Sequence, residues 1–208
     1  MASSVTVTDP VFSRLRTYNW AMGALHAAQA VLVLVLAFSD AAVNAMLPVF
    51  VRTNGYSELL LSALVITAPM VGAVSGSVVP REGANHYLLR ISALLTLTAG
   101  GGAAVLFALI GLGSAWQGAV IAGVAITAYG VTIAADIPTM TAAMRSVDDD
   151  LRASLVAVVQ PALMGIQAVG ALMAGAIALM LPASVTMALS LVPPVGYSAW
   201  VLMRTKRS

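Results

Sequence analysis

The chain contains no cysteine, which excludes disulfide bonds, thiolate nucleophiles and metal sites with cysteine ligands. Charge is also scarce, because only 9% of the 208 residues are charged whereas 60% are hydrophobic. A soluble domain could not cover its surface with so few charged groups. The composition therefore predicts an integral membrane protein in contact with a lipid bilayer.

Signatures of enzymes and of metal sites are missing as well. The sequence has no glycine-rich phosphate loop, no nucleophile elbow and no paired carboxylates. The two histidines, His26 and His86, lie in different segments without a ligand pattern around them. We therefore expect no enzymatic activity, no cofactor and no bound metal.

What the sequence has in abundance is long apolar segments. A helix of about 20 residues crosses a hydrocarbon core of about 30 Å, at roughly 1.5 Å per residue. Six segments reach this length, and their short connections require neighbouring helices to be antiparallel. We predict an all-α integral membrane fold, with a six-helix domain at 18–203 between a cytoplasmic arm at 1–17 and a basic tail at 204–208. The apolar segments cover 19–50, 58–79, 89–112, 116–136, 152–181 and 183–203.

Basic residues are distributed unevenly between the two sides of this predicted bundle. Nine of the ten precede the first span, follow the last, or lie beside the 2–3 and 4–5 connections, and Arg52 is the exception. Lysine and arginine accumulate in cytoplasmic loops, so both termini are expected to be cytoplasmic. This topology explains the pI of about 9.3 without nucleic-acid binding. The expected location is the bacterial plasma membrane.

The connection between the second and third spans contains Gly76, Arg81 and Gly83. It resembles the Gly-x-x-x-Asp-Arg-x-Gly loop of the major facilitator superfamily, with Pro80 in place of the aspartate and no basic pair after it. The stretch Val147–Ser154 is similar to the same family's 4–5 loop. The resemblance extends over most of the six spans.

Membership of that family would make the chain one six-helix half of a twelve-helix transporter. Each half of such a transporter consists of two three-helix repeats of inverted topology, and the substrate binds between the halves. The resemblance therefore implies secondary transport by a homodimer or with a separately encoded partner half. A small-molecule substrate and protons are the partners that it implies.

The first span carries a second resemblance. Asn19, Gly23, His26 and Gln29 reproduce the Asn-x3-Gly-x2-His-x2-Gln spacing of the first helix of heliorhodopsins. Retinal binding in that family needs a lysine in a seventh span, and the only lysine here, Lys206, follows the sixth. Two alternatives to a transporter therefore stay open: a retinal-free relative of heliorhodopsins, and a non-transporting membrane subunit of a larger complex.

Polar side chains of the first span indicate where a transport pathway would lie. At 100° per residue, Asn19, His26, Gln29, Asp40 and Asn44 fall within an arc of about 80°. An acidic side chain at the bilayer centre costs about 2.5–3.5 kcal/mol, so such residues usually face the bundle interior or a water-filled cavity. The stripe is thus expected to face inward, with Asp40 as a proton or cation site and His26 and Gln29 as cavity lining. The alternative is that these residues only satisfy one another, with Asp40 near the outer interface.

Further candidates lie on the fourth and fifth spans. Tyr129 and Asp136 are expected on one face of the fourth span, with Asp136 near its cytoplasmic end. There it could pair with Arg81 and latch the 2–3 loop. Gln160 and Gln167 share a face of the fifth span, where they either bridge helices or contact a ligand.

Glycines recur in the second and fifth spans at spacings typical of close helix packing. Gly72 and Gly76 are four residues apart, and Gly165, Gly170 and Gly175 follow in the fifth span. Small residues allow membrane helices to approach closely. All five are expected at helix–helix contacts.

Overall fold

The computed structural model describes residues 10–205, and within that range the regular structure is entirely helical. Residues 1–9 and 206–208, which include most of the predicted arm and the tail residues Lys206 and Arg207, lie outside the described part of the chain. A π-helical turn, Thr96–Gly100, links α3 to α4, and a 3-10 turn, Ile110–Leu112, follows α4. The α-helices are α1 (Pro10–Thr53), α2 (Glu58–Val78), α3 (Asn85–Leu95), α4 (Gly101–Leu109), α5 (Ala115–Ile133), α6 (Asp136–Arg145), α7 (Asp149–Ala178), α8 (Ala183–Ser190) and α9 (Val192–Thr205).

Six helical segments of the described residues are long and apolar enough to cross a membrane, so the predicted six-helix integral membrane fold is confirmed at this level. The fourth span differs from its predicted bounds, because it continues past residue 136 and ends at Arg145. The spans are Tyr18–Thr53, Glu58–Val78, Asn85–Leu112, Ala115–Arg145, Asp149–Ala178 and Ala183–Thr205.

A proline explains the bend in the fourth span between α5 and α6. Pro138 has no N–H with which to bond the carbonyl of Ala134, one helical turn earlier. The N–H of Ile137 donates to that carbonyl instead, at 3.3 Å, which tightens the turn. The helix therefore bends at this point and continues.

The sixth span is interrupted between α8 and α9 for a similar reason. Pro194 cannot donate to the carbonyl of Ser190, so this oxygen loses its partner within the helix. The hydroxyl of Ser39 on α1 lies 2.5 Å from that oxygen and takes over the hydrogen bond. Side chains of neighbouring helices commonly satisfy such freed carbonyls inside membranes.

The first and fourth spans form the centre of the bundle. Along the first span α1 packs against α7, α8 and α9, whereas α2 packs against α5 of the fourth span. The third span packs against the fourth and sixth, through α3 with α6 and α9 and through α4 with α5 and α8. The apolar part of the fifth span is scarcely buried, and it contacts mainly α1.

Glycines provide the closest approach between the second and fourth spans. A Cβ atom on Gly130 would lie 2.7 Å from the carbonyl oxygen of Ala68, and one on Gly72 would lie 3.1 Å from Cβ of Ile133. A Cβ atom on Gly76 would overlap the side chain of Ile137. The predicted packing role of Gly72 and Gly76 is therefore confirmed.

Of the three glycines of the fifth span, only Gly170 lies at a helix contact within the described chain. A Cβ atom on Gly170 would overlap the carbonyl oxygen of Phe38, so α7 and α1 touch at this point. Nothing lies within 4 Å of a Cβ atom on Gly165 or Gly175. For these two glycines the expected helix contact is wrong within the described chain, because they face away from α1.

Two clusters of buried apolar side chains fill the bundle, one above the other along α1. The larger contains Val43 and Phe50 of α1 together with Phe107 of the third span. The smaller contains Leu32 and Leu36 of α1 with side chains of the third and sixth spans. Asp40 lies between the two clusters along the helix.

Candidate functional site

The centre of the candidate site is a hydrogen bond between the first and fourth spans. Tyr129 on α5 is almost fully buried, and its hydroxyl donates to Oδ1 of Asp40 on α1 at 2.5 Å. Asn44, one turn after Asp40, donates its side-chain N–H to the same oxygen at 3.1 Å. Two donors therefore hold one oxygen of the Asp40 carboxyl group as an acceptor.

These side chains line a cavity of about 460 Å³ between the first, second, fourth and fifth spans, with Leu191 of the sixth span also in its wall. We call it the outer cavity. Its wall includes Asp40, Asn44, Tyr129, Asp136 and Gln167, which the sequence singled out on three separate spans. The structure thus brings most of the predicted pathway residues to one place.

Asp136 lies in this wall because the fourth span does not end there. Its Oδ1 atom is buried and has no hydrogen-bond partner among the described residues. The sequence placed Asp136 near the cytoplasmic end of the span, because the apolar segment at 116–136 ends at this residue. In the structure the helix continues beyond Asp136, and α6 ends at Arg145.

The suggested latch between Asp136 and Arg81 is not formed. Arg81 is exposed in the 2–3 connection, and no salt bridge joins it to Asp136 in the part of the chain that the structure describes. The structure explains why two positions of the loop motif are glycine. Gly76 meets Ile137 of α6, and Gly83 has a φ of +133°, which side-chain-bearing residues rarely adopt.

His26 and Gln29 line a second cavity of about 490 Å³, between α1, α6 and α7. We call it the inner cavity. Nδ1 of His26 lies 3.0 Å from Oε1 of Gln29. Gln29 is buried, and its Nε2 atom has no hydrogen-bond partner among residues 10–205. His26 and Gln29 therefore bond to each other, and the Nε2 donor of Gln29 is left without a partner in the described part of the chain.

The two cavities adjoin at three apolar side chains. Val33, Met140 and Leu163 belong to the wall of both. Asp40 lies on one side of these side chains along α1, and His26 lies on the other. Together the cavities follow the polar stripe of α1 along the bundle.

Some predicted residues lie outside this arrangement. Asn19 is exposed and lines neither cavity, although it falls on the same predicted arc. Gln160 is exposed on α7, so it does not share the environment of Gln167. Ser39 was missed, and the only signals for it were its place next to Asp40 and the adjacent prolines of the sixth span.

The outer cavity is lined by two carboxyl groups, those of Asp40 and Asp136. Carboxyl groups at membrane depth are costly, and they are found where a proton, an ion or a charged ligand uses them. No group of three or more histidine, aspartate or glutamate side chains able to hold a metal ion occurs within the described residues.

Comparison of the chain with protein-family models, with curated proteins and with solved structures finds no match. The fold therefore defines the class of protein, as an integral membrane protein with six candidate spans around two cavities that carry polar side chains.

Proposed function

We propose that the protein is a half-size secondary transporter of the major facilitator type, in which Asp40 binds the proton or cation that drives transport. The proposal depends above all on the hydrogen bond between Asp40 and Tyr129 in the wall of the outer cavity. This carboxyl group lies at the meeting point of four spans, where a change in its charge would alter how they pack. The distribution of arginine supports cytoplasmic termini.

The packing of the spans supports two three-helix repeats. If spans one, two and three are exchanged with four, five and six, the main contacts correspond: the first packs on the fifth and sixth, and the fourth on the second and third. The smaller contacts of α1 with α2 and of α7 with α8 have no counterpart of comparable size among the described residues. Glycines mediate both related contacts, with Gly170 against Phe38 and Gly72 against Ile133. Such repeats of opposite orientation are typical of secondary transporters.

The fifth span supports the need for a second half. Gln160 is exposed on α7, and Gly165 and Gly175 face open space on the same helix. An exposed glutamine amide is poorly accommodated by hydrocarbon, whereas small residues favour helix association. We propose that a second copy of the chain, or a separately encoded half, covers α7 and completes the outer cavity.

Cross-linking tests this second half, and the absence of native cysteine gives a clean background. Met164 on α7 and Val105 on the third span are 67% and 60% exposed, so Met164→Cys and Val105→Cys form a matched pair. A homodimer through α7 predicts oxidative dimers for Met164→Cys alone. A monomer that transports without any partner would contradict the need for a second half.

Transport itself is tested in proteoliposomes that contain a trapped pH-sensitive dye. A panel of sugars, amino acids, organic anions and organic cations is added, and the expected result is proton movement with at least one class. Asp40→Asn should abolish it, whereas Asp150→Asn, which changes an exposed carboxylate at the start of α7, should not. Folded protein that moves protons with none of these compounds would refute the transporter.

The second candidate function is a non-transporting subunit of a larger complex. The exposure of nearly the whole fifth span favours it, because a partner protein of any kind could pack there. Two measurements, of assembly and of proton movement, distinguish the candidates. A subunit would keep its assembly when Asp40 is replaced by asparagine, and it would move no protons in proteoliposomes.

A further inference from the structure

The charges around the outer cavity are unbalanced. Asp40 of α1 and Asp136 of α6 both lie in its wall, and no lysine, arginine or histidine is among the described residues that line it. Arg52 forms its ion pair with Glu58 at the surface, at 3.4 Å. A cavity with two carboxyl groups and no fixed positive charge favours a positively charged occupant.

The two carboxyl groups differ in their hydrogen bonds. Oδ1 of Asp40 accepts from Tyr129 and Asn44, so it is satisfied by the protein. Oδ1 of Asp136 is buried and has no partner among residues 10–205. Proteins leave few buried polar atoms unpaired, because the lost hydration is not repaid. Asp136 therefore combines a buried acceptor that lacks a partner with a place in the cavity wall.

The remainder of the cavity wall is largely aliphatic. Val65 of the second span, Leu163 of the fifth and Leu191 of the sixth contribute to it, together with the ring of Tyr129. A volume of about 460 Å³ lies within the usual range for small-molecule sites, about 300–1,000 Å³. An inorganic ion would leave these aliphatic side chains without contacts. An organic cation would cover them, and an aromatic ring nearby adds cation–π attraction.

We propose that the outer cavity binds a monovalent organic cation with an apolar body, and that Asp136 pairs with its charged group. This inference rests on the proposed function in treating the cavity as the substrate site. Asp136 then contacts the substrate, whereas Asp40 takes the driving proton or cation. The apolar body lies against the aliphatic side chains of the second, fifth and sixth spans.

Binding to the purified protein in nanodiscs tests the inference without requiring transport. The probe is tetraphenylphosphonium, with tetraphenylborate as a competitor of nearly the same size and opposite charge. Wild-type protein should bind the cation saturably, and Asp136→Asn should weaken binding by at least about tenfold. The exposed-carboxylate control Asp150→Asn should leave it unchanged. Equal affinity in Asp136→Asn, or equally effective competition by tetraphenylborate, would overturn the site.

A second variant separates lost charge from lost folding. Leu163→Trp fills the outer cavity without changing its charge and should also weaken tetraphenylphosphonium binding by at least about tenfold. Unchanged binding in this folded variant would mean that the probe occupies another place. If sodium stabilises the protein through Asp136 and tetraphenylphosphonium does not bind, the occupant is an inorganic ion and the proposal is wrong.

The outcomes distinguish this inference from the proposed function. Binding that depends on Asp136, without proton movement for any compound, would leave the cation site intact and refute the transporter. Proton movement driven only by neutral or anionic compounds would support the transporter and refute the organic-cation site.

Discussion

Tyr129 and Asp40, which are 89 residues apart in the sequence, are joined by a hydrogen bond of 2.5 Å that connects the first span to the fourth. The donor lies on the helix that packs against the second span, and the acceptor lies on the helix that packs against the fifth. This contact therefore couples the two groups of helices, and its removal should affect both stability and transport.

Tyr129→Phe removes only the donor of this bond. We expect the free energy of unfolding to fall by about 0.5–2 kcal/mol, between the values typical for membrane helices and for charged acceptors. Titration with a denaturing detergent measures the change. Tyr87→Phe is the control, because Tyr87 is exposed and its hydroxyl makes no hydrogen bond within residues 10–205. Equal stability of the two variants would show that the bond contributes nothing.

Ser39→Ala leaves the carbonyl of Ser190 without its donor. The expected loss of stability is about 1–3 kcal/mol, because a buried acceptor becomes unsatisfied. The cause can be isolated with Pro194→Ala, which restores a backbone N–H one turn after Ser190. In the Pro194→Ala background, Ser39→Ala should lower the free energy of unfolding by clearly less. An equal loss in both backgrounds would contradict the explanation. Ser77→Ala, at an exposed hydroxyl that bonds its own helix, is the control.

Gly170→Ala and Gly175→Ala place the same methyl group on the same helix in opposite surroundings. The first would meet the carbonyl of Phe38, whereas the second meets open space. Gly170→Ala should lower the free energy of unfolding by about 1–3 kcal/mol. Gly175→Ala should be neutral or raise it by up to about 1 kcal/mol through helix propensity. A reversed order would mean that another surface of α7 packs against α1.

Labelling of single cysteines in intact cells tests the orientation. Glu82 lies in the 2–3 connection and Asn54 in the 1–2 connection, and both are exposed. With cytoplasmic termini, a membrane-impermeant maleimide should label Asn54→Cys directly but Glu82→Cys only after the membrane is permeabilised. Labelling of Glu82→Cys in intact cells would invert the topology and remove the basis of the family resemblance.

The six spans and several of the residues that line the cavities could be predicted from the sequence. Apolar length determined the six helices, and a 100° rotation per residue placed Gln29, Asp40 and His26 on one side of α1. These signals are local, so one sequence carries them. Their partners across the bundle are not local: Tyr129 was expected near Asp136, but its bond to Asp40 depends on how the first and fourth spans pack.

Asp136 shows where local signals mislead. The apolar segment stops at this aspartate, two residues before Pro138, and the predicted fourth span therefore ended at residue 136. In the structure the Ile137 N–H replaces the missing bond, and the helix continues into α6. Ser39 was missed for a related reason. It compensates for a second proline, Pro194, by donating to the carbonyl of Ser190, which lies 151 residues later in the sequence.

The three side chains shared by the two cavities have a consequence for permeability. Val33, Met140 and Leu163 belong to the walls of both cavities, the one that contains Asp40 and the one that contains His26. Methionine is unbranched, with three rotatable bonds, and it adopts alternative rotamers more readily than valine or leucine. A rotation of Met140 alone would therefore change how readily water passes between the two cavities, because this side chain lines both.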